Sequence, residues 1–529
     1  MNGRTVCVNL LAGLALITSA QVVRAQVTID WPVANATPQQ TRFANVIFGG
    51  PPAGILWRDT NSVDPSGARR PKVPVVSNGL LVFGFMSISG SWTTRIYDAE
   101  NGQCLYTFPE TDMAVQAIGR LGMQTTLFRA VRVPDSSQQT SVVTLTAYDL
   151  GPILARTPGA EPTATWSSDF TLFSASQPFL NYMDGALYLG NPGGILKIDG
   201  ASGTLLWADY EPAYNVAVGD VWVPAAGEPQ LERLVIAASW GGNTVRALHD
   251  QDGTIAWQTT AERAQYVTLV KVPSPTGPFD EWRVVVPIGW EMASLLCLNA
   301  SDGSVMPNWP QPLKPYCYAA NGPVAVRYLY DASGAVTNAA IFITPGSDEE
   351  SDTEHPLFAF DVNGGNAWPG SLPNPVQLPS AAAWTEPAVT RDRVFLTLQD
   401  GRLYSVDLNS GKSSVDQFEI DSGAVLPVVA DSGHGPLFYT SSRNLGYLAL
   451  APNDRFQPHE PPLMISLAET NHLLLSWPSS FNGFALQQNS NLNTTNWVTL
   501  TNTPIAVGSQ YQVTIPPPTG NQFYRLLQR

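Results

Sequence analysis

Two groups of side chains have types and spacing that could support chemistry, and the first is a run of carboxylates. Five of them fall within one predicted loop, at Asp348, Glu349, Glu350, Asp352 and Glu354. Carboxylate oxygens are ligands that Ca²⁺ prefers, and the ion takes about six to eight oxygen ligands. The run lacks the Asp-x-Asp-x-Asp-Gly spacing of a calcium loop, and acidic surface segments are usually just hydrated. We therefore interpret it as a solvated loop and keep a Ca²⁺ site as the alternative.

The second group is three tryptophans, Trp92, Trp240 and Trp290. Each falls in the same loop of a repeating unit, between its second and third predicted strands, so all three are expected on one rim of the fold. Exposed aromatic rings offer a large apolar surface to a sugar ring or a peptide at little entropy cost. They are the candidate ligand-binding residues, although we favour the alternative that they pack over the ends of the strands.

Groups that could catalyse a reaction are sparse. The chain has five histidines and four cysteines, and it contains no HExxH, no GxSxG and no phosphate-cradling glycine loop. A Ser-His-Asp set assembled from distant repeats stays open. We predict no catalytic residue.

The elements that position these side chains come from a repeat. Asp199, Gly203 and Trp207 form an Asp-x3-Gly-x3-Trp pattern that returns at an interval of about 50 residues. Its counterparts are Asp98, Gly102 and Tyr106; His249, Gly253 and Trp257; Asn299 and Gly303; Asp361 and Gly365; and Asp407 and Gly411. Such a period is typical of a propeller or a solenoid.

Each repeat predicts one four-stranded antiparallel sheet. In the first, Ser77-Asn78-Gly79 separates two apolar runs, and Asn-Gly supplies the positive-φ turn of a hairpin. The third strand ends at Asp98, and a fourth follows the glycine turn. The predicted second strands are 80–83, 123–132, 186–190, 234–239, 282–288, 339–344, 393–397 and 437–440. The prediction is therefore an all-β fold with an eight-bladed β-propeller of four-stranded antiparallel blades over residues 54–450.

The last repeat predicts how the ring closes. After 446–450 the chain has no outer strand of its own, whereas 54–57 forms an outer strand without a preceding sheet. We predict that 54–57 completes the last blade, which removes an open sheet edge.

A second domain begins after the Pro-rich linker 451–462. Residues 463–529 predict a small β-sandwich, because six short apolar runs alternate with Gly, Asn, Ser and Pro. The runs are 463–467, 472–477, 484–489, 497–500, 511–515 and 523–527. With Leu475-Ser476-Trp477-Pro478 and Phe523-Tyr524-Arg525-Leu526, this region resembles a fibronectin-like or immunoglobulin-like module of secreted bacterial proteins.

The N-terminus predicts export. Arg4, the apolar stretch 6–20 and Val23-Arg24-Ala25 form a signal peptide over 1–25, followed by an N-terminal extension over 26–53. The formal charge of −15 argues against a nucleic-acid partner, and no run is long enough to span a membrane. A periplasmic or extracellular location is expected. In such an oxidising compartment Cys297 and Cys317 could form a disulfide, but we favour the alternative that both are free buried thiols.

The repeat at Ile198-Asp199-x3-Gly203-x3-Trp207, preceded by Leu187-Tyr188-Leu189-Gly190, resembles the PQQ-like (quinoprotein-type) propeller repeat. That resemblance implies that the outer-strand aromatics pack against the neighbouring blade, at Trp57, Tyr106, Trp166, Trp207 and Trp257. Enzymes of the family carry a vicinal Cys-Cys ring, a Ca²⁺-binding Glu and Asn, and a catalytic Asp. Here no two cysteines are adjacent. We expect no cofactor, with PQQ or Ca²⁺ as the alternatives.

The predicted function is an exported non-catalytic propeller scaffold that binds a protein or a carbohydrate, with no transmembrane span. The alternative is a quinone-dependent dehydrogenase or another propeller enzyme. The central channel separates the two, because an enzyme needs converging acidic and polar side chains there.

Overall fold

The fold is taken from a computed structural model. It describes residues 6–8, 37, 39–40, 42–59, 74–86, 92–109, 114–134, 140–156, 159–174, 176, 178–224, 228–239, 241–264, 266–274, 280–289, 292–315, 317–318, 324–331, 335–347, 355–370, 372–379, 387–398, 402–416, 428–431, 435–442, 446–452, 463–467, 472–478, 484–491, 494, 496–507, 510–517, 520 and 522–528. The chain forms two compact units, one over residues 27–453 and one over 454–529 together with 1–26.

The larger unit is a succession of antiparallel sheets, each built mainly from consecutive strands, as the repeat predicts. Sheets 1 and 2 consist of Val75–Ser77, Leu80–Met86, Trp92–Asp98 and Cys104–Thr107, and of Ala114–Leu121, Gln124–Pro134, Ser141–Asp149 and Thr163–Leu172. Sheets 3 and 4 consist of Phe179–Met183, Ala186–Asn191, Gly194–Asp199 and Leu205–Asp209, and of Asn215–Val223, Gln230–Ser239, Thr244–His249 and Ile255–Thr260. A short helix, Gly151–Leu154, precedes the last strand of sheet 2.

The second half of this unit continues the pattern. Sheets 5 and 6 consist of Thr268–Val272, Glu281–Ile288, Met292–Asn299 and Gln311–Pro315, and of Ala325–Tyr330, Val336–Ile343, Pro356–Asp361 and Val376–Gln377. Sheet 7 consists of Ala388–Thr390, Arg393–Thr397, Leu403–Asp407 and Ser413–Asp416, with Phe43–Ala44 added beside its first strand. Sheet 8 consists of Val428–Asp431, Pro436–Ser442, Gly446–Pro452 and Pro52–Asp59. Cys317–Tyr318 pairs separately with Gly346–Ser347.

The first strands of neighbouring sheets contact one another, from sheet 1 to sheet 5 and again from sheet 6 to sheet 8. They therefore form an inner ring, and the fourth strands lie outermost. This is the arrangement of a β-propeller, so the predicted fold class is confirmed. The predicted number of eight blades stays a prediction.

The last sheet is completed by the N-terminal part of the chain. Pro52–Asp59 pairs antiparallel with Gly446–Pro452, which confirms the pairing predicted for residues 54–57. The Asp59 carboxylate then accepts a hydrogen bond from the Tyr97 hydroxyl at 2.7 Å and pairs with Arg95 at 2.9 Å. Both partners belong to sheet 1, so one strand joins the two ends of the repeat array.

The repeated Asp shapes the turn between third and fourth strands. Asp199 Oδ1 accepts hydrogen bonds from the backbone N–H groups of Ala201 at 3.1 Å and Ser202 at 2.8 Å. Gly203 then adopts a φ of 72°, which costs little without a Cβ. In sheet 6 the positive φ of 85° belongs to Gly364 and not to Gly365, so the pattern there is shifted by one residue.

Substitution of this Asp tests the turn. Asp199→Ala removes the acceptor of both backbone N–H groups and is expected to lower the free energy of unfolding by about 1 kcal/mol. Asp199→Asn keeps the Oδ1 acceptor and is the matched control, which should stay close to the natural chain. Urea unfolding measures both, and equal losses in the two variants would contradict this role.

Cysteine 297 lies in the core of sheet 5. It is fully buried and free, and burial raises the pKa of its thiol to about 12. The side chain of Cys317 lies outside the described part of the chain. The free-thiol interpretation therefore holds for Cys297 in this structure.

The smaller unit contains two antiparallel sheets. One consists of Met464–Leu467, Leu473–Pro478, Gln510–Ile515 and Ile505–Val507, and the other of Val6–Val8, Gln522–Gln528, Phe484–Asn489 and Val498–Thr499. Buried side chains of both sheets, among them Trp477, Val513 and Tyr524, form one apolar cluster. The sandwich and its fibronectin-like character stay predictions. So does the signal peptide, within which Val6–Val8 falls.

Among the helices that the structure describes, none has the length and apolar character needed to cross a membrane.

Candidate functional site

The structure describes one of the three predicted rim tryptophans. Trp92 begins the third strand of sheet 1 and is only 3% exposed. The prediction of an exposed stacking ring is therefore wrong for Trp92, because burying the indole removes a large apolar surface from water. Trp240 and Trp290 lie outside the described residues.

The predicted acidic loop is also beyond what the structure describes, since Asp348, Glu349, Glu350, Asp352 and Glu354 all fall in the gap between residues 347 and 355. Within the described ranges, no group of three or more His, Cys, Asp or Glu side chains could hold a metal ion. A Ca²⁺ site at the acidic loop stays a prediction.

The inner ring of the propeller is crossed by the N-terminal segment, which we define as residues 37–50. The Gln39 side-chain amide donates to the carbonyl of Val218 in sheet 4 at 2.9 Å. Farther along, Phe43–Ala44 pairs in parallel with Val389–Thr390, on the first strand of sheet 7. The segment therefore runs from one side of the ring to another. Sequence reasoning assigned this region only as an extension.

An acidic group at the inner ring also holds this segment. The Asp392 carboxylate, in the turn after the first strand of sheet 7, accepts hydrogen bonds from the backbone N–H groups of Phe48 and Gly49, both at 2.8 Å. It accepts a third from the Thr390 hydroxyl at 2.9 Å. The carboxylate is thus engaged in binding the chain's own backbone.

The repeated tryptophans join each sheet to the next. The indole N–H groups of Trp57, Trp166, Trp207 and Trp257 donate to carbonyls of the following sheet, at Ala99 (3.0 Å), Gly200 (2.9 Å), Asp250 (2.7 Å) and Ala300 (2.8 Å). A Cβ on the repeat glycine of that next sheet would lie 2.4 to 2.9 Å from the indole, at Gly102, Gly203, Gly253 and Gly303. The predicted structural role of these tryptophans is confirmed. Tyr106 packs its ring against Phe108 and borders the apolar cluster that sheets 1 and 2 share.

Strongly perturbed titratable groups lie at the same contacts. Burial, and then the neighbouring Asp250 carboxylate, raise the pKa of the Tyr188 hydroxyl far above its usual value. That hydroxyl donates to Asp250 at 2.7 Å, and Lys197 pairs with the same carboxylate at 2.7 Å. A perturbed pKa can mark a catalytic group, but this one belongs to packing between sheets 3 and 4.

An exposed aromatic pair, Phe173 and Tyr210, lies on the rim where the second and third strands of each sheet are joined. Phe173 directly follows the last strand of sheet 2, and Tyr210 directly follows that of sheet 3. Each side chain is 58% exposed, and the ring centroids are 5.2 Å apart in an edge-to-face arrangement. Met292, at the same end of sheet 5, is also exposed.

Two glycines lie against the backbone that carries these rings. A Cβ on Gly193 would lie 2.5 Å from the backbone carbon of Phe173, and one on Gly194 would lie 2.5 Å from the carbonyl of Asp209. The glycine turn therefore packs directly against the backbone beneath both rings. Asp209 is fixed in addition by the buried Arg246 at 2.7 Å. The backbone that carries both rings is thus closely packed, which suits a binding surface.

Sequence reasoning missed this pair. Phe173 and Tyr210 lie at different distances from Trp166 and Trp207, so the repeat does not align them. The available signal was only that an aromatic residue directly follows the outer strands of sheets 2 and 3.

Comparison with known proteins matches part of the chain to a protein family. Residues 160–417 match a family model described as the outer membrane protein assembly factor BamB. No curated protein matches the sequence.

Solved structures similar to this chain include BamB from Moraxella catarrhalis, at 14% identity, with 71% of this chain and 94% of that chain covered and a TM-score of 0.42. A chain of the mitotic checkpoint complex is 9% identical, with 77% of this chain and 98% of that chain covered and a TM-score of 0.38. A chain in the complex of BBS1N with ARL6DN is 10% identical, with 62% of this chain and 88% of that chain covered and a TM-score of 0.35. Together with the repeat and the four-stranded sheets, the family match identifies residues 160–417 as PQQ-like β-propeller repeats.

Proposed function

We propose that this chain is an exported, non-catalytic propeller that binds a protein partner through the rim carrying Phe173 and Tyr210. The observation that supports this most is the exposed aromatic pair, because aromatic residues are enriched where proteins bind one another. The family model that matches residues 160–417 is itself named for an assembly factor. Export rests on the predicted signal peptide over residues 1–25.

The channel favours a scaffold over an enzyme. An enzyme site needs an open cavity with converging polar groups. Here Phe43–Ala44 of the N-terminal segment pairs with the first strand of sheet 7, and Asp392 is occupied by the backbone of Phe48 and Gly49. The segment therefore engages backbone and polar groups at the inner ring, which supports a scaffold.

The rim can be tested by removing both rings. Phe173→Ala with Tyr210→Ala is expected to abolish capture of the partner by the tagged, purified protein from extracts of its source cells. Stability should change by less than about 0.5 kcal/mol, because both side chains are mostly exposed. Quantitative mass spectrometry of the captured proteins and a thermal melt measure the two effects.

Met123→Ala is the matched control. Met123 is fully exposed and lies in the turn between the first and second strands of sheet 2, at the opposite end of the sheet from the aromatic pair. It should capture the same proteins as the natural chain. Equal capture by the double variant and this control would contradict the proposal. If a soluble oligosaccharide competed with capture, the binding of a sugar would replace that of a protein.

A further inference from the structure

We propose that the exposed pair Phe173 and Tyr210 binds a cationic side chain, Lys or Arg, of the partner protein, with the Glu211 carboxylate as its counter-charge. The inference rests on the proposed function and deepens it, because it gives the chemistry of the partner at the same rim. The partner is thereby assigned a basic segment at the point where it meets the two rings.

The two rings leave faces on which a cation can lie. Their planes meet at 80°, so the edge of one ring covers one face of the other, and the remaining faces are not covered within the pair. Each side chain is 58% exposed. The face of an aromatic ring carries partial negative charge and attracts Lys or Arg. The chain already uses this contact internally, where the Arg129 guanidinium carbon lies 4.9 Å from the centroid of Phe108.

A carboxylate available to a partner lies next to Tyr210. Glu211 is exposed, and it forms no ion pair with any cation that the structure describes. The Asp209 carboxylate on the other side of Tyr210 differs, because it already accepts hydrogen bonds from the Arg246 guanidinium at 2.7 and 2.9 Å. The charge of Arg246 is thus used by Asp209, and that of Glu211 is left for a cation of the partner.

The turn that carries Tyr210 and Glu211 is held in place by the same Arg246. The Arg246 side chain is only 2% exposed, and it donates to the carbonyls of Glu211 at 2.8 Å and Pro212 at 2.9 Å. The backbone N–H of Glu211 donates to Asp209 Oδ1 at 3.1 Å. Because these bonds fix the turn, little conformational entropy is lost there when a partner binds.

Farther along the rim, apolar and acidic groups again lie together. Glu262 follows the outer strand of sheet 4 and is exposed, and its carbonyl accepts the backbone N–H of Gly289 at 2.9 Å. Gly289 lies in the turn between the second and third strands of sheet 5, and Met292 after it is 77% exposed. Arg263, beside Glu262, is half-buried. With a formal charge of −15 on the whole chain, such a rim favours a basic partner segment over an acidic one.

Selection from an unbiased peptide library tests the charge of the partner. The full chain is immobilised and incubated with phage that display random peptides. Phage that also bind the double variant Phe173→Ala with Tyr210→Ala are removed, so the remaining peptides depend on the two rings. These peptides should contain Lys or Arg at least about threefold more often than the unselected library does.

The role of Glu211 is measured with one selected peptide, labelled with fluorescein, by fluorescence anisotropy. Glu211→Gln removes the charge, keeps the shape of the side chain and should weaken binding by about three- to tenfold, with a smaller difference at high salt. Glu228→Gln is the matched control, because Glu228 is exposed in the turn between the first and second strands of sheet 4, at the opposite rim. It should bind the peptide as the natural chain does.

Failure of the charge preference is distinct from failure of the rim. Ring-dependent peptides without an excess of Lys or Arg, or equal affinities for Glu211→Gln and Glu228→Gln, would overturn the cationic partner and leave the rim as a binding surface. If no selected peptide depended on the two rings, the proposed function and this inference would both be wrong.

Discussion

Deletion of residues 26–60 is expected to abolish the folded state of the larger unit. The deletion removes the outer strand of sheet 8 and with it Trp57, whose indole joins sheet 8 to sheet 1 through Ala99. It also removes Ala44, Val46 and Phe48 from the apolar cluster that sheets 1, 7 and 8 share. Loss of a single buried Trp or Phe costs about 3 to 5 kcal/mol, and a domain has about 5 to 15 kcal/mol in total.

The deletion leaves two further defects. Gly446–Pro452 becomes an open sheet edge, which invites association with other chains. Tyr97 and Arg95 lose the Asp59 carboxylate, so two polar groups at the join between sheets lose a charged partner. Far-ultraviolet circular dichroism and a thermal melt of the deleted chain measure the result.

The substitution Arg58→Ala is the control for this deletion, because its side chain is exposed on the same strand. It should melt close to the natural chain. An unchanged melting temperature of the deleted chain would contradict closure of the ring by this strand.

Substitution of Trp207 by Ala has the second largest expected effect. The side chain is 7% exposed, its indole N–H donates to the carbonyl of Asp250, and its ring fills the space above Gly253. Truncation leaves a cavity between sheets 3 and 4 and a carbonyl without this donor. The expected loss in the free energy of unfolding is about 3 to 5 kcal/mol, measured by urea unfolding.

Two controls separate the parts of this effect. Trp207→Phe keeps most of the packing and loses the hydrogen bond, so it should cost about 1 to 2 kcal/mol. Leu206→Ala changes the adjacent, 52% exposed side chain and should cost less than about 0.5 kcal/mol. If Trp207→Ala were no more destabilising than Leu206→Ala, the tryptophans would not be the join between sheets.

Much of the propeller could be predicted because each of its strands and turns is specified by residues close together in the sequence. The strand Arg393–Thr397 has the predicted bounds, since an apolar run between turn residues specifies a strand without reference to distant residues. The Asp-x3-Gly turn could be predicted for the same reason. The tryptophan contacts were instead implied by the resemblance to the PQQ-like repeat. The shift from Gly365 to Gly364 shows the limit of this local pattern in sheet 6.

Features that depend on distant residues were not predictable. Gln40 meets Asn215 and Arg42 meets Pro387, partners 175 and 345 residues away, and no repeat connects them. The strand Ile505–Val507 was missed because all three of its residues are exposed, so it has no alternating burial. The exposure of the aromatic side chains was also not predictable. Trp92 is buried while Phe173 and Tyr210 are exposed, and this depends on how each ring packs in the folded chain.

The most direct test of a binding function in place of catalysis is a redox assay. Purified full chain is mixed with PQQ, Ca²⁺, an electron-accepting dye and a panel of oxidisable substrates, and dye reduction is followed by absorbance. With the inner ring crossed by the N-terminal segment, we predict no reduction above a control without protein. Dye reduction that depends on both the protein and a substrate would contradict the account.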